Sequence, residues 1–124
     1  MKKRLLVVDD DPINRLLVSK CLANDPTLEV VTTDTGADVL KRLNGGELFD
    51  WLLVDWNMPE MTGYELICQL RAQPKFADLR IMMLTAQTSL EDVKQALGAG
   101  ANEYLMKPFT KDMLLQKLLL LGMD

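Results

Sequence analysis

No histidine occurs among the 124 residues. That absence removes zinc sites of the usual kind, Ser-His-Asp and Cys-His nucleophilic catalysis, and any imidazole general base. Cysteine is scarce as well. Cys21 and Cys68 are the only two, they lack CxxC spacing, and both fall in apolar helical patterns, so they read as reduced core thiols. No apolar run approaches the length that spans a bilayer: Leu118 to Leu121 is among the longest, and the opening MKKRLLVVDDD meets acid where a signal peptide needs a longer apolar region. A cytoplasmic protein without membrane association is expected. Basic runs are also missing. Lys and Arg number 14 against 18 acidic residues, for a net charge of −4, and no basic stripe could track a phosphate backbone, so nucleic acid is not expected as a direct partner.

What is present is a soluble-globular composition, 48% apolar and 26% charged, in a chain long enough for one domain over residues 1–124. Short apolar runs alternate with helical patterns, the signature of βα units on a parallel sheet. Strands are expected at Arg4–Asp9, Leu28–Thr33, Trp51–Asp55, Arg80–Thr85 and Glu103–Lys107. The runs Leu5–Val8, Leu52–Val54 and Ile81–Leu84 are continuously apolar, as in strands covered on both faces, so these three should be central. The mixed Leu28 strand and the short Tyr104 strand suit the edges.

Helices are expected over about 12–23, 36–43, 63–72, 89–97 and 111–121, each with a start signal. Asp11-Pro12 supplies an N-cap followed by Pro at N1; Thr62 with Glu65, and Thr88 with Glu91, fit capping boxes; Thr35 and Thr110 are further N-caps. Gly98 and Asn44-Gly45-Gly46 supply helix stops. The methionines, Met82, Met83 and Met106 included, read as core filler.

One stretch resists a purely structural reading. In LLVVDDDPIN, residues 5–14, a buried strand ends in three consecutive carboxylates, which repel one another. Asp11 is explained as a helix cap, but Asp9 and Asp10 are not. In an open parallel sheet, ligands bind beyond the carboxyl ends of the strands. The residues found there are Asp9, Asp10, Asp55, Thr85 and Lys107 followed by Pro108. Carboxylates facing a lone ammonium and a hydroxyl suit a hard divalent cation such as Mg²⁺ together with an oxyanion.

Taken in order, VVDDD (7–11), VDWNMPEMTG (54–63), LTAQ (84–87) and YLMKPF (104–109) resemble the signature blocks of the receiver domain of bacterial two-component response regulators. The DWNMP stretch is similar to the single-domain chemotaxis regulators. The resemblance implies a flavodoxin-like (αβ)₅ sandwich with strand order 2-1-3-4-5, acting as a phosphorylation-controlled switch rather than an enzyme on external substrates. Asp55 would accept a phosphoryl group from a histidine kinase or histidine phosphotransfer protein. Asp9, Asp10, Asp55 and the backbone carbonyl of Asn57 would hold Mg²⁺, while Thr85 and Lys107 would each contact a phosphoryl oxygen. The family usually has a cis bond between residues matching Lys107 and Pro108. Thr85 and Tyr104 would carry the signal to a downstream partner on the face of the fourth helix, fifth strand and fifth helix. Two positions depart from the common pattern. Thr62 stands where Asp is frequent, and Gln87 where some chemotaxis members carry an acid; with Asn57, Gln87 is placed to influence the water that hydrolyses the acyl phosphate.

Three other readings compete. A phosphatase of haloacid dehalogenase type also uses Asp after a strand with Mg²⁺, but wants a second Asp where Asn57 stands. A flavodoxin-type electron carrier would meet repulsion between its cofactor phosphate and the three carboxylates. A degenerate receiver serving only as a docking module is disfavoured because every required position is filled.

Overall fold

All five expected strands form. In a computed structural model, which describes residues 3–86 and 90–122, they are β1 (Lys3–Val8), β2 (Leu28–Thr33), β3 (Trp51–Asp55), β4 (Arg80–Thr85) and β5 (Glu103–Met106). The helices are α1 (Pro12–Leu22), α2 (Gly36–Asn44), α3 (Gly63–Arg71), α4 (Leu90–Ala99) and α5 (Lys111–Leu120), with a 3₁₀ turn at Pro74–Phe76. The strands pair in parallel in the order β2-β1-β3-β4-β5. The continuously apolar runs are central and the mixed ones lie at the edges, as the pattern required.

Successive strand residues point to opposite faces, and here both faces are covered. Leu6, Val8, Leu52, Val54, Ile81 and Met83 pack against Val39, Leu43, Leu66, Ile67, Leu70 and Ala96, which places α2, α3 and α4 on one face. Leu5, Val7, Leu53, Met82, Leu84 and Leu105 pack against Val18, Leu22, Leu114 and Leu118, which places α1 and α5 on the other. The caps act as expected. Asp11, Thr35 and Thr110 side chains accept from the N–H groups of Ile13, Asp38 and Met113, and Thr62 with Glu65 completes a reciprocal box. Thr88 and Gln87 lie outside the described residues. No described helix is long and apolar enough to cross a membrane.

Four expectations need correction. Gly98 does not stop its helix; α4 continues through it to Ala99, and the reversal falls at Gly100, whose φ of +118° needs a residue without a side chain. Cys68 is exposed and Cys21 only half-buried, so neither is a core thiol: the buried stripe of α3 runs through Leu66, Ile67 and Leu70 and turns position 68 outward. Met82 and Met83 are core, but Met106 on the edge strand is only partly buried. Finally, β1 and β5 end one residue early, although the Asp9 and Lys107 N–H groups still bond the Thr33 and Thr85 carbonyls at 3.1 and 2.8 Å.

Gly63 links this framework to the site. It opens α3 directly against the end of β3, and its N–H donates to the Trp56 carbonyl at 3.0 Å. A Cβ there would overlap the Asp55 carbonyl oxygen and stand 2.9 Å from Val54 Cγ1, both parts of a central strand that cannot give way. Gly63→Ala should therefore destabilise the protein by about 1–3 kcal/mol, the usual cost of overpacking a core. The midpoint of a urea unfolding curve reads this directly.

Candidate functional site

The ends of β1 and β3 bring two acids together underground. Val8 pairs with Val54, and continuing that register sets Asp9 beside Asp55. Asp9 is fully buried and Asp55 is 4% exposed, an unusual position for two carboxylates. Asp10 sits exposed at the rim, and one oxygen from each of Asp9, Asp10 and Asp55 falls within a 4.8 Å span.

Lys107 enters from the end of β5 and is followed by a cis peptide bond to Pro108. Its Nζ donates to Asp55 Oδ1 at 2.7 Å and lies 3.5 Å from Asp9 Oδ2, an ion-pair distance without a hydrogen bond. The other Asp9 oxygen accepts from the Asp11 N–H at 2.9 Å. Among the described residues Asp9 Oδ2 thus has no hydrogen-bond partner, an arrangement that costs free energy at a buried oxygen unless an ion or water supplies one. Three carboxylates against one ammonium leave an excess of negative charge. Their hard oxygen donors, one of them orphaned and the cluster open at Asp10, fit an ion such as Mg²⁺, which keeps several waters and takes only one or two carboxylates directly.

Burial pushes the Asp55 carboxyl up to about 6, helped by the charges of Asp9 and Asp10 and opposed by the hydrogen bond and charge of Lys107. For Lys107, burial alone would lower the ammonium's pKa. The hydrogen bond and charge of Asp55, with the charge of Asp9, outweigh it and raise the value, so the lysine stays charged.

The remaining expected residues fall into two groups. Thr85, 2% exposed, ends β4, and its carbonyl accepts the Lys107 N–H. Asn57 is exposed in the loop two residues beyond Asp55. Tyr104 lies away from the acids. Because Tyr104 pairs with Met83 and Thr85 with Met106, Thr85 and Tyr104 share a sheet face one pleat apart, and the half-buried ring packs on the core beneath α4. Sequence reasoning missed Arg15, whose Nη1 donates to the Asp9 carbonyl at 2.7 Å. Its signal was present: four residues past the Asp11 cap, it stands one helical turn along α1 and can reach back over β1.

The raised Asp55 value carries a stability consequence. A carboxyl with a folded pKa above its unfolded value of 3.8 binds more protons folded, so stability falls as pH rises from about 4 through about 6. Without divalent metal, Asp55→Asn should be more stable than the wild type at pH 7.5, on the order of 1–3 kcal/mol. The advantage should shrink to a small remainder at about pH 4 and disappear below about pH 3, where Asp55 is neutral in both states. Paired urea titrations at pH 4 and pH 7.5 in chelator test this, and an equal difference at both would refute it.

With the geometry in place, comparison with known proteins is informative. The profile of the response regulator receiver domain matches residues 5–119. The chain is 38% identical over 115 residues to a chemotaxis protein CheY homolog of Campylobacter jejuni, covering 93% of this chain and 88% of that protein. It is 35% identical to chemotaxis protein CheY of Pseudomonas aeruginosa, covering 93% and 92%. Among solved structures, chemotaxis response regulator CheY4 of Vibrio cholerae superposes with a TM-score of 0.88 at 35% identity over 98% of this chain and 99% of that one. The BeF3-activated DrrB receiver domain superposes with a TM-score of 0.83 at 30% identity over 98% of each chain.

Proposed function

The chain belongs to the response regulator receiver domain family and is a phosphorylation-controlled signalling switch, and from that premise we propose that the switch is thrown at Asp55. The observation that carries this is the Asp55 carboxylate itself, buried at the end of the central strand and held at 2.7 Å by Lys107. One Asp55 oxygen attacks the phosphorus of a phosphohistidine on a kinase or phosphotransfer protein; the P–N bond breaks, the imidazole leaves with that electron pair, and an acyl phosphate forms. No general base is required once the carboxylate is ionised. Lys107 then pairs with a phosphoryl oxygen, and the Thr85 hydroxyl donates to another. Asp9, Asp10, Asp55 and the Asn57 carbonyl would hold Mg²⁺. When bound, that ion neutralises charge developing on the transferred group. The same site returns to rest by hydrolysis, with Asn57 and, from its place in the sequence two residues beyond Thr85, Gln87 influencing the attacking water.

A phosphatase of haloacid dehalogenase type is not favoured, since Asn57 occupies the place of its second acid. The chain acts as one domain over residues 1–124, in the cytoplasm, between a histidine kinase and a downstream protein. The partner face consists of α4, β5 and α5, reached through Thr85 and Tyr104.

Incubated with acetyl phosphate and Mg²⁺, the protein should gain one acid-stable, base-labile phosphoryl group. Asp55→Asn should gain none, chelator should prevent labelling, and Asp10→Asn should slow it by at least about tenfold, the scale on which lost metal contacts act. Mass spectrometry of intact protein reads all four arms. Equal labelling of Asp55→Asn would overturn the assignment.

The output route has its own test, for which the activated state of the similar DrrB receiver domain suggests the probe. In an NMR titration with beryllofluoride and Mg²⁺, resonances of residues 85–91 and 102–112 should shift along with those beside Asp55. Thr85→Ala should keep the pocket shifts and lose most of the distal ones. Shifts confined to the pocket would exclude Tyr104 as the relay.

A further inference from the structure

Tyr104 is not merely lodged on the core; a second layer of the protein reaches round to hold it. Its ring lies on the α2–α3–α4 face, yet a lysine of α5, on the opposite face, covers it. Lys117 Nζ stands 4.5 Å from the Tyr104 ring centroid, within cation–π range. The route is open because, among the described residues, β5 is an edge strand that pairs with β4 and leaves its other edge unpaired.

What fixes Lys117 there is Glu103. Its Oε1 accepts from Lys117 Nζ at 2.9 Å and from the Tyr104 backbone N–H at 3.0 Å. That second bond follows from strand geometry. N–H groups alternate in direction along a strand, and the Lys107 N–H bonds Thr85 of β4, so the Tyr104 N–H points outward, where Glu103 meets it. The pair is partly sheltered, with side chains 27% and 19% exposed, and is further restrained by the backbone bond and the ring. It is therefore better ordered than a freely solvated ion pair, which contributes little.

We propose that Glu103 and Lys117 are positioning residues for Tyr104, forming a latch that holds the ring in the orientation seen here, in which Lys107 grips Asp55. Rotation of the ring about its Cα–Cβ bond carries it from under an ammonium that Glu103 keeps in place, so the latch sets how readily the output face rearranges. The inference rests on the reading of Tyr104 as the relay. It adds a contact that this relay must break, supplied by the helix of the output face itself.

The test uses Glu103→Gln and Lys117→Met, which remove the charge attraction with little change of shape, and Lys117→Arg, which preserves both the ion pair and the cation over the ring. Two quantities are read: solvent accessibility of the Tyr104 ring in the free protein, by photochemically induced nuclear polarisation, and the midpoint of the beryllofluoride titration in Mg²⁺. Both charge-removing variants should show altered ring accessibility and a midpoint lowered about 2- to 5-fold, the scale of a solvent-exposed cation–π contact. Lys117→Arg should match the wild type. If the wild type responds at residues 102–106 but the two variants keep wild-type accessibility and midpoint, the latch is overturned and the Tyr104 relay stands. Altered accessibility with an unchanged midpoint likewise overturns the latch as a control on the switch. A wild type with no response at 102–106 overturns the relay, and the latch with it.

Discussion

Everything at the working end of this protein follows from burying two carboxylates beside a single ammonium. Asp9 and Asp55 are almost wholly removed from water and share Lys107 unequally, one by a hydrogen bond of 2.7 Å and the other by a charge contact of 3.5 Å. Such a trio does not balance: the Asp55 carboxyl is forced up to about 6, and one Asp9 oxygen is left without a hydrogen-bond partner among the described residues. A protein selected for stability alone would place apolar side chains here. The imbalance makes sense as an investment in binding, because a divalent cation held here would meet the orphaned oxygen and remove the repulsion together.

The fold's contribution is to make that unfavourable arrangement rigid. Strand register sets Asp9 against Asp55, and both strands are covered on each face by packed helices, so neither acid can retreat toward solvent without disturbing the core. Helix caps close the loops between. The Asp11 side chain begins α1 while its own N–H donates to Asp9 Oδ1, so one residue both starts the helix and orients the buried acid. Gly63 performs a comparable double task on β3, bringing α3 so near the Asp55 carbonyl that no side chain fits.

How far the sequence disclosed this depends on whether a feature is written in local spacing. The burial pattern of the strands, the caps at Asp11, Thr35, Thr62 and Thr110, and the strand-end positions of Asp9, Asp10, Asp55, Thr85 and Lys107 were readable, because periodicity marks strands and so marks the residues at their ends. Gly98 misled because glycine is tolerated inside a helix at modest cost, whereas the obligatory glycine was Gly100, identified only by its positive φ. Cys68 misled because an apolar pattern three residues wide does not say which member points outward. The Glu103–Lys117–Tyr104 contact was invisible for a deeper reason. Its members come from opposite layers of the sandwich and meet around a sheet edge, a relation that no local pattern encodes.

The unequal sharing of Lys107 also bears on why such a site can behave as a switch with distinct positions rather than a graded sensor. In the proposed cycle, Asp55 exchanges one negative charge for a phosphoryl group carrying more, spread over three oxygens and projecting beyond the carboxylate. The Lys107 ammonium, which donates to Asp55 Oδ1 at 2.7 Å, has three N–H donors to divide between the carboxylates and a phosphoryl oxygen, so its contacts would be redistributed. Lys107 is tied by its backbone N–H to the Thr85 carbonyl, and in the proposed cycle Thr85 would itself donate to the phosphoryl group. The ends of β4 and β5 are therefore biased by the same event, on the face where Tyr104 lies one pleat away. Close packing turns such competing demands into alternative arrangements instead of a continuum, and phosphorylation selects between them by as much as its contacts differ in the two.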